Sequence, residues 1–388
     1  MNVDGADEAL RLAMAEADPA SLRAAERLRR AVPAEVASWA LSQAQLRRKA
    51  LAKFPRADEM LFTSDGLEQA TRESVRLWRA GRFAGSVGRP FEAPSSHLKE
   101  PGGVVWDLGC GIGADAMALA EAGVEVRAVE ADAATAEVAT HNLALVGAGP
   151  AIHALAEDVE LGEGDAIFLD PARRTARGRT WNVADFSPPW DFVLGLLRSD
   201  HFVCVKLGPG LPKPLIPRGV QACWVSDGGD VVEVSLWNQL PEGPCAVVLP
   251  NHVLTRPEHP RELDVRPVGR YLIEPDGAVI RSGLLAEIAP EQDIWLLDEH
   301  IAYLSADEPV IGPFGTCFEV LETHDFDRKL LRRLVRERGI GTLEIKKRGI
   351  DVDPAQLRRE LKPKGKIAVT IVLARTIDGT KALFVRRV

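Results

Sequence analysis

The stretch VVWDLGCGIGADA, residues 104–116, constrains the fold of this chain more than any other feature. A short apolar segment runs into Asp107, and glycines then occupy positions 109, 111 and 113 before a run of helix-forming residues. Glycine tolerates positive φ angles and lets a ligand approach the backbone without meeting a Cβ. The stretch therefore predicts a strand, a tight turn and a helix that together bind a nucleotide-like ligand.

Strand and helix patterns alternate after this turn. The predicted strands are VEVRAVE, DAIFLD and HFVCVKLG, and the predicted helices are GADAMALAEAG and DAATAEVATHNLALVG. Three further apolar segments, ACWVSD, VVEVSLWNQ and CAVVLP, follow with only turns between them. The alternation predicts a parallel α/β sheet that ends in antiparallel strands, with its ligand chemistry at the carboxyl ends of the parallel strands.

Segments of different character flank the predicted sheet. Residues 1–90 place leucine and alanine at helical spacing with prolines near the breaks, which predicts an N-terminal helical domain. Residues 85–103 are rich in Gly, Pro and Ser and are predicted to be a linker. The sheet domain is assigned to residues 91–250, and 251–318 are left as a connecting region. Residues 319–388 alternate strand and helix patterns and predict a small α+β module.

The net charge of −8 averages over two unlike parts of the chain. Residues 319–388 contain 18 Lys and Arg against 10 Asp and Glu, whereas the rest of the chain contains 30 against 46. Clusters such as KKRG and KPKGK place basic charge beside glycine, where a phosphate backbone can come close. We expect this module to bind RNA by shape and phosphate contacts. The alternative is a charged module that only packs against the catalytic domain.

Composition limits the cellular setting. With 46 % hydrophobic and 27 % charged residues the chain is typical of a globular protein. Its five scattered cysteines form no C-x-x-C pair and no zinc spacing, which predicts reduced thiols and no metal site. We expect a cytoplasmic protein without a membrane partner, because neither a signal-peptide pattern nor a run of about 18 apolar residues is found. The sequence does not indicate the oligomeric state.

Two cofactors compete for the glycine turn. Gly109, Gly111 and Ala114 satisfy the G-x-G-x-x-[GA] pattern of dinucleotide sites. Glu130, at the end of the second predicted strand, suits either cofactor because a carboxylate there can bind both ribose hydroxyls.

Three acids favour S-adenosyl-L-methionine over a dinucleotide. Asp107 lies two residues before the first glycine, where it can hold the ribose and methionine side of the cofactor. Asp158 follows the third strand region, in a position to accept from an adenine amine, and Asp170 ends the fourth strand, where a methyl acceptor would bind.

The motif DLGCGIGADA, the acid that ends VEVRAVE, and DPARR together resemble class I S-adenosylmethionine-dependent methyltransferases, over roughly residues 95–250. The resemblance implies a Rossmann-like sheet of seven strands that ends in an antiparallel hairpin. The whole chain is similar to bacterial methyltransferases that carry a C-terminal THUMP-like domain and are related to RNA methyltransferases. The cofactor-binding residues that the resemblance implies are Asp107, Gly109, Cys110, Gly111, Gly113, Glu130, Ala131 and Asp158.

The motif DPARR, residues 170–174, keeps half of a motif that is found in the methyltransferases this chain resembles. In methyltransferases that act on exocyclic amines, an Asp or Asn, two prolines and an aromatic residue usually follow the fourth strand. Asp170 and Pro171 keep the half that accepts hydrogen bonds from the amine, but Ala172 and Arg173 replace the second proline and the aromatic residue. We predict that Asp170 and Pro171 orient the acceptor and that Arg173 and Arg174 contact the substrate, by stacking or by binding phosphate.

Other side chains near this motif have two interpretations each. Trp181, Phe186 and Trp190 are either a stacking surface or part of the core. Cys204, the nearest candidate for a nucleophilic thiolate, lies within an apolar strand and is interpreted as a buried thiol, which favours methylation of nitrogen over carbon. Lys206 either contacts an anionic substrate or only caps its strand.

These patterns predict an S-adenosylmethionine-dependent methyltransferase that modifies RNA at an exocyclic base amine. The alternatives are a methyltransferase for a small molecule or a protein, a nicotinamide-dependent dehydrogenase, and a catalytically silent RNA-binding protein that retains the cofactor fold.

Overall fold

The computed structural model describes residues 5–85, 104–173, 181 and 183–388. The predicted linker, from residue 86 onwards, and Arg174 lie outside the described residues. The chain divides into two compact units. The first unit comprises Met1–Gln221 and Glu233–Glu242, and the second comprises Ala222–Val232 and Gly243–Val388.

Helices open the first unit, as the sequence predicts. They are α1 (Ala6–Met14), α2 (Leu22–Ala31), α3 (Ala34–Ala50), α4 (Ser64–Gln69) and α5 (Glu73–Phe83). Ser21 caps α2 by accepting from the Ala24 N–H, and Pro33 is the N-cap residue of α3. Alanines pack between α1, α2 and α3 together with Leu28 and Val36, so small side chains allow these helices a close approach.

A mainly parallel sheet forms the centre of the first unit. From residue 105 to residue 237 the elements, in chain order, are β1 (Val105–Leu108), α6 (Ala114–Glu121), β2 (Val126–Glu130), α7 (Ala133–Ala144), β3 (Ile152–His153), β4 (Ala166–Leu169), β5 (Ala172–Arg173), β6 (Phe186–Ser187), α8 (Trp190–Leu197), β7 (Phe202–Leu207), β8 (Gln221–Asp227) and β9 (Asp230–Trp237). Strands β5 and β6 form a separate two-stranded sheet, and β8, apart from Gln221, belongs to the second unit.

Within the first unit the strand order is β9-β7-β4-β1-β2-β3. The strands are parallel except for β9, which runs antiparallel to β7. Every residue of β1 and β4 is buried, as expected for central strands covered on both faces. The prediction of a parallel α/β sheet with an antiparallel end is confirmed.

The second unit contains the remaining elements. They are β10 (Gly243–Val248), β11 (His252–Thr255), β12 (Tyr271–Pro275), α9 (Gly277–Ser282), β13 (Ile294–Asp298), β14 (Ile301–Ala306), β15 (Gly315–Asp325), α10 (Arg328–Glu337), β16 (Ile340–Arg348), α11 (Pro354–Leu361), β17 (Ile367–Thr376) and β18 (Gly379–Arg387).

A seven-stranded sheet dominates this unit, with the order β13-β14-β12-β15-β18-β17-β16. Helices α10 and α11 pack on it through Leu331, Val335, Leu357 and Leu361. Strands β12, β13 and β14 come from the stretch 251–318, whose role the sequence left open. Among the described residues, no helix is both long and apolar enough to cross a membrane.

Candidate functional site

The turn between β1 and α6 presents its backbone to the carboxyl end of the sheet. Gly109, Gly111 and Gly113 have φ angles of +84°, +56° and +81°, which favour glycine at all three positions. The N–H groups of Gly109 and Cys110 donate to the Val129 carbonyl at 2.8 and 2.9 Å, which fixes the turn to β2. A Cβ at Gly111 would meet no atom within 4 Å, so the backbone is open to a ligand there.

Asp107 is an unusual group at the end of β1. Its side chain is 1 % exposed, and neither carboxylate oxygen accepts a hydrogen bond from any residue that the structure describes. Burial raises its pKa well above the usual range for Asp, and repulsion from Asp115 and Asp170 adds to that effect. Buried polar atoms are nearly always hydrogen-bonded in proteins. The two unpartnered oxygens beside the glycine turn are therefore suited to a cation or N–H donors of a bound molecule.

Glu130, at the end of β2, holds the glycine turn in place. Its Oε2 accepts from the Gly111 N–H and its Oε1 from the Asp132 N–H, both at 2.9 Å. The adjoining Ala131 is exposed. The structure thus brings together Asp107, the turn and Glu130 at one edge of the sheet. Asp158 lies farther along, exposed, at the end of the 3₁₀ helix Ala156–Asp158.

The carboxyl ends of β4 and β7 carry a paired acid and base. These strands pair in parallel with Leu169 opposite Val205, so the next residues, Asp170 and Lys206, are neighbours. Lys206 Nζ donates to Asp170 Oδ2. The two side chains are 14 % and 37 % exposed, respectively. A Cβ at Gly109 would lie 4.0 Å from the Asp170 carbonyl oxygen, so this pair adjoins the glycine turn.

Lys206 keeps its proton although its side chain is buried. Burial by itself lowers the pKa of a lysine, but here Asp170, and after it Asp115 and Glu233, raise the pKa of Lys206 above its usual range. Lys206 is therefore an ammonium ion at every pH at which the protein would work.

A buried arginine of the N-terminal helices lies behind the glycine turn, and sequence reasoning missed it. Arg79 of α5 is 1 % exposed and donates to both oxygens of Glu233 at 2.7 and 2.6 Å, and also to Asp115 Oδ1. Asp115 in addition accepts from Thr71 Oγ1 at 3.0 Å. Because Asp115 is in the first turn of α6, these bonds hold the helix that starts at the glycine turn.

Helix α4 and the segment before it pack on the same turn. A Cβ at Gly66 would overlap the Ile112 side chain, so only glycine fits there. Asn142 of α7 donates to the carbonyls of Ile112 and Leu61 at 2.8 and 2.9 Å. The sequence TSDG contains a signal for this approach, since an isolated glycine inside a helical pattern often marks close packing.

The aromatic residues after DPARR differ in exposure. Phe186 and Trp190 are 5 % and 9 % exposed with ring centroids 5.3 Å apart, which makes them core residues. Trp181 is only half-buried; its ring centroid lies 6.2 Å from that of Phe186. A Cβ at Gly210, just after β7, would lie 3.6 Å from Trp181 Nε1. Trp181 is thus close to the chain that follows Lys206.

Two further predicted residues have clear locations. Cys204 is fully buried within β7, in agreement with its interpretation as a core thiol. The backbone of Arg173 belongs to β5 and pairs with Phe186 of β6, but its side chain and the whole of Arg174 are outside the described part of the chain. The described residues contain no group of three or more His, Cys, Asp or Glu that could hold a metal ion.

A basic groove lies on α10 and α11 of the second unit. Its volume is about 340 Å³, and it is lined by Arg328, Lys329, Arg332, Arg333, Arg336, Glu360 and Leu361. Arg328 and Arg332 both donate to Glu360, one to its carboxylate and one to its carbonyl. The side chains of Lys329 and Arg336 are exposed and form no hydrogen bond with any other described residue. The groove therefore keeps a net positive charge.

Comparison with known proteins connects these features. Residues 315–387 match the family described as THUMP domain-like. An S-adenosylmethionine-dependent methyltransferase of Mycobacterium tuberculosis, found in two strains, is 31 % identical over 363 residues, covering 89 % of this chain and 94 % of its own length. The chain belongs to the S-adenosylmethionine-dependent methyltransferases.

This methyltransferase also shares its fold with a solved structure. A crystal structure from Porphyromonas gingivalis W83, described as a methyltransferase, matches it with a TM-score of 0.75 at 20 % identity, covering 100 % of this chain and 99 % of the other. The predicted Rossmann-like sheet and C-terminal THUMP-like module are confirmed, and the cofactor of this methyltransferase is S-adenosylmethionine. The unpartnered oxygens of Asp107, the open backbone at Gly111 and the carboxylate of Glu130 fit a molecule with an ammonium group and a ribose diol.

Proposed function

We propose that this methyltransferase acts in the cytoplasm on RNA, at an exocyclic amine of a base. One observation supports the choice of an amine above all others. Asp170 lies beside the glycine turn with its Oδ2 bound to Lys206, while its Oδ1 has no hydrogen-bond partner among the described residues. A carboxylate oxygen in that position is suited to accept from an N–H of the acceptor.

Binding of the cofactor needs three kinds of contact in this proposal. Asp107 takes the ammonium of the methionine part, Glu130 takes the ribose hydroxyls, and Asp158 accepts from the adenine amine. The full set of residues that we assign to the cofactor is Asp107, Gly109, Cys110, Gly111, Gly113, Glu130, Ala131 and Asp158. When bound, the cofactor supplies an electrophilic methyl group on a sulfonium.

The acceptor side needs mainly positioning, because transfer of a methyl group from a sulfonium is an in-line displacement. We assign Asp170 Oδ1 and the Pro171 carbonyl as acceptors of hydrogen bonds from the amine, which orient the nitrogen lone pair. Methylation of carbon through a cysteine thiolate is disfavoured. Cys204 is fully buried within β7, and burial raises the pKa of Cys110 well above that of a free thiol.

The residues after Asp170 and Pro171 are assigned to the substrate. Arg173 and Arg174 replace the aromatic residue of the usual motif and would bind phosphate or stack on a base. Trp181 is the better candidate for base stacking, since it is half-buried and close to Gly210, whereas Phe186 and Trp190 are core residues.

The second unit supports RNA as the substrate. The groove on α10 and α11 presents five Arg and Lys side chains against one Glu, and the loop after α11 adds exposed lysines at 362, 364 and 366. Clustered cations of this kind bind a phosphate backbone. The THUMP domain-like match falls on the same residues, which is consistent with RNA binding by this unit.

The decisive experiment is transfer of tritiated methyl groups to total RNA from a strain that lacks the gene, followed by nucleoside mass spectrometry. We expect an N-methylated base. Asp170→Ala removes the acceptor oxygen and should slow transfer by about 10- to 100-fold, since a hydrogen bond to a charged group is worth roughly 1.5–3 kcal/mol, while cofactor affinity in calorimetry stays unchanged. Asp191→Ala, at an exposed acid on α8, serves as the matched control and should have no effect.

A wild-type protein that binds S-adenosylmethionine but labels no RNA fraction would contradict RNA as the substrate. A ribose-methylated or carbon-methylated product would contradict the assignment of the acceptor atom.

A further inference from the structure

Lys206 is held in a fixed position at the acceptor side. It is the last residue but one of β7, opposite the residue that follows β4, and its side chain is only 14 % exposed. A lysine on a flexible surface would sample many rotamers, whereas burial and the bond to Asp170 hold this ammonium in one place. The chain thus presents a fixed cation beside the carboxylate that we assign to the amine.

The ammonium of Lys206 has more N–H donors than the described residues supply acceptors for. It carries three N–H groups, and the described residues supply one acceptor for it, Asp170 Oδ2. The other nearby carboxylates are taken up elsewhere, because Asp115 and Glu233 both accept from Arg79. A buried N–H without an acceptor costs free energy, so a bound molecule that offers an acceptor atom there would be favoured.

Asp170 and Lys206 together form a pair with one free acceptor and free donors side by side. Building on the proposed function, we propose that this pair recognises an amine attached to a carbon that also bears an unprotonated ring nitrogen. Asp170 Oδ1 accepts from the amine, and Lys206 Nζ donates to the neighbouring ring nitrogen. Lys206 is then a residue that determines specificity, in addition to its effect on Asp170.

The proposal separates classes of methyl acceptor. Adenine, cytosine and guanine each carry an exocyclic amine next to a ring nitrogen with a free lone pair, so all three offer the required edge. The side-chain amine of a protein lysine has no acceptor atom on the neighbouring carbon. An aliphatic amine would therefore leave the Lys206 N–H groups without a partner and would be a poor substrate.

The test is a double-mutant cycle that combines a substitution in the protein with a substitution in the base. Nucleoside mass spectrometry of labelled total RNA first identifies the methylated base. A short RNA with that base is then compared with one carrying its deaza analogue, in which C–H replaces the ring nitrogen next to the amine. The proteins are the full-length wild type, Lys206→Met, Lys206→Arg and, as a matched control, Lys213→Met, an exposed lysine after β7.

We expect the deaza base to slow the wild type by about 10- to 100-fold and to slow Lys206→Met by less than about 3-fold, because the hydrogen bond is already absent there. Lys206→Arg should recover part of the rate, since a guanidinium also donates, and Lys213→Met should behave as wild type. Cofactor affinity should stay unchanged in every variant.

Equal slowing of wild type and Lys206→Met by the deaza base, or no slowing of either, would overturn the recognition by Lys206 and leave RNA methylation intact. If the wild type labels no RNA, the proposed function itself fails. The two failures are thus distinguishable.

Discussion

Asp107 is a residue that opposes the stability of the free protein and that we assign to the cofactor. A carboxyl group that is 1 % exposed and unpartnered among the described residues is costly to ionise, which is why burial raises its pKa. The unfolded chain has no such obstacle and releases the proton at the usual pKa of about 3.9. Above that pH the folded state holds a proton that the unfolded state has lost.

This difference predicts the pH dependence of stability. Because the folded state binds the extra proton, the free energy of unfolding falls as the pH rises from about 4 towards the raised pKa of Asp107. Asp107→Asn removes the titrating group, so we expect this variant to be more stable than wild type without ligand, with a gap that grows over that pH range. Urea denaturation at pH 5 and pH 8 measures the gap. A variant that is less stable at both pH values would contradict the role of burial.

The same substitution should have the opposite effect on binding. We expect Asp107→Asn to weaken S-adenosylmethionine binding by about 10- to 100-fold, because a hydrogen bond to a charged group is worth roughly 1.5–3 kcal/mol. Calorimetry of both proteins at pH 8 provides the comparison. Unchanged affinity would show that Asp107 does not contact the ammonium.

At the scale of elements, helix α5 is connected through Arg79 to the sheet that follows it in sequence. Arg79 connects α5 to α6 and β9 through Asp115 and Glu233, and its guanidinium lies 4.5 Å from the Phe168 ring centroid on β4. Burial by itself lowers the pKa of Arg79, but Glu233 and, to a smaller extent, Asp115 raise it above its usual range. An N-terminal helix thus supports α6, which begins at the glycine turn, and the strands β9 and β4.

Removal of this arginine should be severe. We expect Arg79→Met to lower the free energy of unfolding by about 3–5 kcal/mol, because the buried Glu233 and the partly buried Asp115 both lose the guanidinium that neutralises them. Arg11→Met on α1 is the control, since the Arg11–Glu8 pair is 70 % and 53 % exposed and such pairs contribute at most about 1 kcal/mol. Urea denaturation measures both. A similar loss in the two variants would contradict the importance of the buried network.

Sequence patterns could predict the glycine turn but not this network. The turn, Asp107 and Glu130 are local features, since an acid at a strand end and glycines before a helix follow from neighbouring residues. Arg79 lies 36 positions from Asp115 and 154 from Glu233, and in sequence it resembles any arginine of an amphipathic helix. Strands β12 to β14 escaped assignment for a similar reason, because strand pairing depends on distant partners such as β15.

At the scale of the whole molecule, charge is unevenly distributed along the chain. The excess of Lys and Arg in residues 319–388 contrasts with the acidic remainder. Deleting those residues would not isolate their charge, because β16, β17, β18 and most of β15 would be lost from the seven-stranded sheet. Substitution on the exposed face of α10 is the cleaner way to test RNA binding.

We expect the triple variant Arg332→Glu, Arg333→Glu and Arg336→Glu to weaken binding of total tRNA and to make it less dependent on salt. Each lost phosphate contact should reduce the slope of log K against log salt by about 0.7–0.9, or roughly 2–3 in total. The control is Arg23→Glu, Arg29→Glu and Arg30→Glu on exposed positions of α2, with the same change in net charge. Filter binding between 50 and 200 mM salt, as a working range, measures the slopes. Equal effects of the two triples would contradict a specific role for α10.

The path of the chain between the two compact units has a consequence for biosynthesis. The chain leaves the first unit after Gln221, returns at Glu233 and leaves again after Glu242. Domains generally fold during translation as soon as their residues have emerged. A nascent chain that has not yet exposed Glu233 lacks a counter-ion of Arg79. The first unit is therefore completed only after translation has begun on the second unit.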